Sequence, residues 1–280
     1  MVSTETSHIS ARRNGPARAG SPEAALRSAG GDREFMTTLA KGITVLRAFT
    51  AQRSPMTLSQ TAAAAGLTRA TARRILRTFV ALGYIEQNGR QFSLTPRVLE
   101  LGFGYLSAQS WIDRARPVLK ELSARVQESC SAAILQGTDI VYVARVPTRR
   151  IMSVAVSVGS RLPAFHTSLG RVQLGFIEDA EIWRRLMSLR IEPYTTHTIT
   201  DPQALFDRVK YDHQQGFSIV DEELERGLRS IAVPIVDRTG EAVAGLNIST
   251  NSTRITRNHM REHFLPRLRE ASEQISSFMP

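Results

Sequence analysis

The sequence predicts an α+β protein: an N-terminal winged helix-turn-helix, a linker helix, and a larger C-terminal domain of mixed strands and helices. Three observations carry this reading. Capped helical segments, separated by glycines, begin near residue 35 and end in a hairpin signal. The positive charge is concentrated in that same stretch. Beyond it, short Val- and Ile-rich runs are interleaved with amphipathic segments.

Composition sets the outer limits. At about 100–200 residues per domain, 280 residues suggest two domains. With 42% hydrophobic and 22% charged residues, the chain as a whole is not a disordered polymer. It has no run of about 18 apolar residues, so a transmembrane helix is not expected. Cys130 is the only cysteine, which excludes an intrachain disulfide or a multi-cysteine zinc site and fits a reducing compartment. The net charge is +10. Residues 35–109 hold nine basic residues against two acidic ones, or +7. A basic module beside a nearly neutral one points to an anionic partner, most often nucleic acid.

Residues 1–34 are rich in Ser, Ala, Gly and Arg without periodicity and read as a disordered extension with no apolar secretion signal. The stretch 35–95 then reads as a separate helical module with a hairpin. Leu39, Ile43, Leu46 and Phe49 recur at helical spacing, and Ser54-Pro55 breaks that helix. Thr57 with Gln60 three residues on is a capping-box pattern that starts a helix over Leu58–Ala65, stopped by Gly66. Thr68 caps a third helix from Arg69 to Leu82, stopped by Gly83. Asn88-Gly89 between two short alternating runs predicts the hairpin of a wing.

On a helix of about 100° per residue, Arg69, Arg73, Arg74 and Arg77 share one side of the third helix. Ala72, Ile75, Leu76, Phe79 and Leu82 share the other. Arginine suits phosphates and guanine edges because it donates two parallel hydrogen bonds. Thr68 and Thr71 stand in the first turn, where recognition helices read bases. The candidate DNA contacts are Thr57, Ser59, Thr68, Arg69, Thr71, Arg73, Arg74, Arg77 and, on the wing, Arg90. A plain solvated cationic face is the alternative, and the caps, glycine stops and hairpin around it argue against that.

Residues 96–115 read as a packed linker helix, apolar through Val98, Leu99, Leu101, Phe103, Tyr105 and Leu106, at a subunit contact. Residues 116–280 form the second domain. Its expected helices start near Pro117 and Ser168, span Glu178–Met187 and Pro202–Gln215, and close the chain over about Asn258–Phe278. Its expected strands are Ala132–Gln136, Asp139–Val146, Arg150–Val158, Phe217–Val220, Ile231–Val236 and Ala242–Ser249, with Gly159–Pro163 as a loop.

Several of these segments together resemble the IclR family of bacterial transcription regulators. The helix-turn-helix ending in Gly83-Tyr84-Ile85 is one. Tyr142–Val146, Gly159–Pro163, Thr167–Arg171, Gly227–Pro234 and Gly245–Ser249 are similar, in order, to that family's effector-domain signatures. The resemblance covers about residues 35–278. Within the family, Arg150–Val154 and Gly170-Arg171-Val172 look most like the branch that controls protocatechuate and 4-hydroxybenzoate breakdown, the Pca and Pob regulators.

The resemblance implies a GAF-like α/β effector-binding domain, a double-stranded DNA operator, and a cytoplasmic, bacterial homodimer or homotetramer that joins the nucleoid when bound to DNA. It also implies control of a catabolic operon, with two alternatives: a non-aromatic operon, or a small-molecule enzyme or sensor that the basic domain only tethers to DNA. It places effector contacts at Leu162, Phe165, His166, Thr167, Ser168, Gly170, Ser230, Asn247 and Ser249. A loop entering a helix N-terminus offers N–H groups to a carboxylate, and apolar walls with a few polar groups suit a small carboxylic acid. The chain departs from a common family pattern here: the aromatic or His position before the Thr-Ser pair is Phe165, with His166 after it.

An enzyme is not expected, nor a cofactor or metal. His259 and His263 have the spacing of a metal pair, but Met260 stands where a zinc protease motif has Glu. Asp221, Glu222, Glu223 and Glu225 read as a solvated acidic loop, and Cys130 as a small buried residue. No Gly-x-Ser-x-Gly elbow surrounds Ser168 that would support a triad with His166, and no nucleotide fingerprint occurs.

Overall fold

The computed structural model describes residues 34–50, 53–108, 110–148 and 156–279. The expected N-terminal extension up to residue 33 therefore lies outside the described residues. So does most of the strand expected over Arg150–Val158, and its described end, Val156–Val158, is not a strand. The chain divides into two compact units, one ending at Ala108 and one made of the residues after Gln109.

In the first unit, α1 spans Thr37–Ala48. A two-residue strand, β1 (Met56–Thr57), leads into α2 (Leu58–Ala64). Here the Thr57 hydroxyl accepts from the Gln60 N–H and the Gln60 side chain accepts from the Thr57 N–H at 2.8 Å, so the capping box forms. Gly66 turns the chain at φ +64°. The helix α3 (Arg69–Ala81) then starts on Thr68, whose hydroxyl accepts from the Thr71 N–H.

The wing is β2 (Ile85–Asn88) against β3 (Gln91–Leu94), with β1 on the far side of β3. Asn88 pairs with Gln91, so the two-residue loop is Gly89-Arg90, with Gly89 at φ +60° in the first position, as a type II′ turn requires. Val45, Phe49, Met56, Ile75, Leu76, Ile85 and Phe92 form one core. Leu82 is half exposed, contrary to its assignment to the apolar side, because the helix ends before it and it serves as the C-cap. A single turn (Pro96–Leu99) and α4 (Glu100–Ala108) follow. Leu99, Leu101, Phe103 and Tyr105 of this stretch are exposed within the unit, so the packed linker expected there has no packing partner among the described residues of the unit.

In the second unit, α5 runs over Ser110–Val126. Pro117 is thus inside the helix and not at its start. It lies on the exposed side, where water can take the carbonyl that its missing N–H leaves open.

A six-stranded antiparallel sheet follows, in the spatial order β6-β5-β4-β9-β8-β7. The strands are β4 (Ser129–Gln136), β5 (Asp139–Val146), β6 (Arg161–Pro163), β7 (Ser218–Asp221), β8 (Leu228–Val236) and β9 (Ala242–Asn251). Where the sequence predicts a loop, Arg161–Pro163 is an edge strand against β5. Such a place tolerates proline because an edge N–H needs no partner.

The helices are α6 (Ser168–Leu174), α7 (Asp179–Met187) and α8 (Pro202–Gln215), then a helical run over Arg257–Ser276. That run comprises α9 (Arg257–His259), one wide turn (Met260–Phe264) and α10 (Leu265–Ser276). One set, α5 and α10, packs together against the sheet, and α6 with α8 forms a second set. The core of the second set holds Ile140, Phe165, Leu169, Val172, Ile182, Leu205 and Val209.

Two glycines set how closely α6 lies on its surroundings. A Cβ at Gly170 would run into the Ala164 carbonyl oxygen, and one at Gly245 of β9 would sit 2.8 Å from the Leu169 oxygen. Where β9 ends its pairing with β4, the buried Gln173 of α6 takes over. Its amide accepts from the Leu135 N–H at 2.8 Å and donates to the Ala133 oxygen at 3.2 Å.

Candidate functional site

The first candidate surface is the outer side of α3. Ala72, Ile75 and Leu76 point into the core, which turns Arg69, Arg73, Arg74 and Arg77 outward, all exposed. Among the described residues none of the four has an ion-pair partner, so their guanidinium donors face solvent. Ser59 and Arg90 are exposed as well. Thr57, Thr68 and Thr71 are engaged locally: the first two hydroxyls are caps, and Thr68 also donates to the Thr71 hydroxyl at 2.9 Å. Such a side, free of acids, is suited to a polyanion whose phosphates exchange bound counterions for arginines.

The second is a small, partly open recess in the second unit, where α6 meets β7, β8 and β9. It is lined by Tyr142, Leu162, His166, Thr167, Ser168, Val220, Leu224, Leu228, Ser230, Asn247 and Ser249. Seven of the nine residues expected at an effector site are in this wall. Phe165 and Gly170 are not. Phe165 is buried in the core behind the recess, and the Gly170 N–H donates to the Thr167 hydroxyl at 3.1 Å. With α6 only seven residues long and that N–H already satisfied, side chains carry more of any recognition than the helix terminus does.

Tyr142, Val220, Leu224 and Leu228 escape a reading of the sequence alone. Tyr142 is on β5 and the other three are on or beside β7 and β8, and only the pairing of β4 with β9, remote in sequence, joins those two halves of the sheet.

The polar groups of the recess are unevenly satisfied. Ser168 Oγ donates to Ser230 Oγ at 2.9 Å, and Asn247 Nδ2 donates to Ser249 Oγ at 2.9 Å. Asn247 Oδ1 is buried without a hydrogen-bond partner, and so is His166 Nδ1. Burial pushes the Tyr142 hydroxyl up to about 12, against a small opposing pull from Arg145, so it stays protonated.

Beneath the recess is a buried ionic cluster. Arg171, with no exposed surface, holds Glu223 through two parallel bonds of 2.7 and 2.6 Å and donates from Nε to the Phe165 oxygen at 2.8 Å. Burial raises the Glu223 carboxyl, but His166 and Arg171 outweigh it and hold the group below the ordinary carboxylate range. Asp212 of α8 stands nearby with Ser218 and Arg208, and burial raises its carboxyl.

The acidic loop expected to be solvated is therefore largely paired. Asp221 binds Arg229 and Arg257, Glu222 accepts from Ser252, and Glu223 binds Arg171. Of the other residues weighed for chemistry, Cys130 is buried with its thiol pushed far up by burial and the Glu128 charge. The rings of His259 and His263 pack 4.5 Å apart. No group of three metal-ligating side chains occurs among the described residues.

Comparison with known proteins decides what carries these two sites. Residues 103–277 match the family described as the bacterial transcriptional regulator IclR C-terminal domain, and residues 38–89 match the IclR helix-turn-helix domain. The chain belongs to the IclR family of bacterial transcriptional regulators. Like other IclR regulators it is a DNA-binding protein of transcription, with α3 as the second helix of its helix-turn-helix.

One IclR relative is the Pca regulon regulatory protein of Pseudomonas putida, 41% identical over 91% of this chain and 88% of its own. Another is the p-hydroxybenzoate hydroxylase transcriptional activator of Acinetobacter baylyi, 30% identical over 88% of this chain and 93% of its own. Among solved structures, one from Rhodococcus sp. RHA1 is 45% identical with a TM-score of 0.76, covering 87% of this chain and 98% of its own. An IclR homologue from Microbacterium hydrocarbonoxydans, complexed with 4-hydroxybenzoate, is 25% identical with a TM-score of 0.75, covering 86% of this chain and 98% of its own. Among the described residues, no helix of this IclR protein is long and apolar enough to cross a membrane.

Proposed function

We propose that this regulator senses a small hydroxylated aromatic acid, of the 4-hydroxybenzoate and protocatechuate kind, and controls an aromatic-catabolism operon in response. The observation that carries the reading is the recess itself. Its apolar walls of Leu162, Val220, Leu224 and Leu228 suit a ring. Its buried Asn247 Oδ1, lacking a partner, calls for a hydrogen-bond donor such as a ring hydroxyl. The relatives named for the Pca regulon and for p-hydroxybenzoate hydroxylase, and the homologue crystallised with 4-hydroxybenzoate, support the same ligand class.

In this reading Leu162, His166, Thr167, Ser168, Ser230, Asn247 and Ser249 contact the effector. Arg69, Arg73, Arg74 and Arg77 of α3, with Ser59 and the wing residue Arg90, contact an operator. The protein has no catalytic role and works in the cytoplasm as a homo-oligomer. The exposed Leu99, Leu101, Phe103 and Tyr105 supply an apolar surface that a second copy covers.

The test is thermal unfolding with a panel of acids. 4-Hydroxybenzoate or protocatechuate raises the melting temperature of the wild type, and benzoate, lacking the hydroxyl, raises it less. Asn247→Leu removes that difference. Equal shifts with benzoate and 4-hydroxybenzoate would exclude the role of Asn247. A panel in which only a non-aromatic acid stabilises the protein would exclude the aromatic assignment.

A further inference from the structure

Among the described residues, the wall of the recess contains no lysine and no arginine. A site that takes up a carboxylate without a fixed cation must either desolvate that charge uncompensated, which is costly, or acquire a positive charge as the ligand arrives. Two lining residues can titrate, Tyr142 and His166. Tyr142 is already protonated and gains no charge from another proton. His166 alone among them can become a cation.

The surroundings of His166 are arranged for that change. The ring is buried, its Nδ1 has no hydrogen-bond partner, and that nitrogen is 3.7 Å from Glu223 Oε2. In the unliganded protein Glu223 is held by Arg171 through two parallel bonds. The Tyr194 ring meets the imidazole edge-on at 5.6 Å. The Thr195 and Thr198 hydroxyls donate to the main-chain oxygens of Glu222 and Glu223, which pins the segment that holds Glu223.

The groups against the imidazole are thus Glu223 from the β7–β8 loop and Tyr194 from the segment before α8, with Arg171 of α6 on the far side of Glu223 and Tyr142 of β5 elsewhere in the lining. Asp212 of α8 acts on the pair of Arg171 and Glu223 from behind. An additional carboxylate in the recess leaves this set one negative charge in excess.

We propose that His166 reads the charge of the effector: when an anionic ligand enters the recess, the imidazole takes up a proton from solvent and stands as a cation between the ligand carboxylate and Glu223. The proposal rests on the recess being the effector site. Ligand binding is then coupled to uptake of about one proton per site, and the affinity for the anion falls as pH rises.

Titration calorimetry of the full-length protein with 4-hydroxybenzoate and protocatechuate, at about pH 7.5 and in two buffers of different ionisation enthalpy, measures the uptake directly. The expected result is a binding enthalpy that changes with the buffer as for about one proton taken up, in the wild type but not in His166→Gln. The neutral analogue 4-hydroxybenzamide binds without uptake. A wild-type enthalpy independent of buffer, with the acid bound, would overturn the role of His166 and leave the aromatic-acid reading standing. Uptake that persists in His166→Gln, or that appears equally with the amide, would also overturn it. No binding by either acid would overturn both. Should His166→Gln fail to fold, the comparison of acid with amide in the wild type still decides the question.

Discussion

Arg171 has no exposed surface and spends three of its five donors on two acceptors, Glu223 and the Phe165 oxygen. A buried guanidinium of this kind is stable only as long as its partner remains. Arg171→Met is expected to cost about 3–5 kcal/mol, because it leaves the Glu223 carboxylate buried with only His166 beside it. Arg171→Met combined with Glu223→Leu is expected to recover most of that loss, since no unpaired charge is left. Urea unfolding of the two variants checks both expectations, and equal losses in single and double variants would show that the pair is replaceable only as a packing unit.

At this scale the sequence is partly legible. Thr57 with Gln60, Thr68, and Asn88-Gly89 state their local roles by spacing alone, and the structure has those caps and that hairpin. The acids at 221–223 do not state theirs. Their partners Arg229, Arg257, Ser252 and Arg171 are 8 to 52 residues away in the chain. A cluster of like charges reads as a solvated loop until the fold shows which arginines reach it.

Elements depend on two kinds of constraint, exposure for α3 and close approach for α6. The arginines of α3 are free of internal partners and act on DNA additively if they meet separate phosphates. Arg73→Ala and Arg77→Ala are each expected to weaken operator binding. Each is also expected to reduce the slope of log affinity against log salt by about one for every phosphate no longer neutralised. Mobility-shift titrations at several salt concentrations measure this, and an unchanged slope in both variants would remove α3 from the interface. For α6, Gly170→Ala puts a methyl group into the Ala164 carbonyl. It is expected to destabilise the second unit by at least about 1–3 kcal/mol, read as a lowered melting temperature.

Element boundaries are legible where a cap or a glycine marks them, as at Gly66, Gly83 and Gly216, each at positive φ. They are not legible where a proline sits inside an element, as Pro117 does in α5 and Pro163 does in β6. In both places water or the sheet edge makes the missing N–H harmless, so the breaker breaks nothing.

Across the whole molecule, charge is divided by role. Most of the net positive charge belongs to residues 35–109, and after them four acids, Glu128, Asp139, Asp212 and Glu223, are buried. Acid stability follows from that interior. Glu223 and Asp221 have carboxyls below their ordinary values, Asp221 because Arg229 and Arg257 outweigh the effect of burial. A group depressed in the folded state stabilises above its unfolded value, and loses that contribution as pH falls through the folded one. The second unit is therefore expected to hold its stability down to about pH 4, near the unfolded carboxylate values, and to lose it progressively below. Asp212, raised by burial, acts in the opposite sense and offsets part of this loss. Circular dichroism melts from neutral pH downward measure the trend, and a flat melting temperature through that range would mean that the buried pairs add nothing net.

The close approaches at Gly170 and Gly245 carry a consequence for anyone who wishes to retune what the protein detects. Backbone already meets backbone where α6 lies on Ala164 and on β9, so the helix that supplies Thr167 and Ser168 to the recess cannot be moved outward or inward by a substitution at either glycine without a clash. The compliant positions are the apolar lining residues Leu162, Val220, Leu224 and Leu228, where trimming a side chain enlarges the space without moving the main chain. Altered specificity is to be sought at those four positions, with Asn247 and His166 kept as they are.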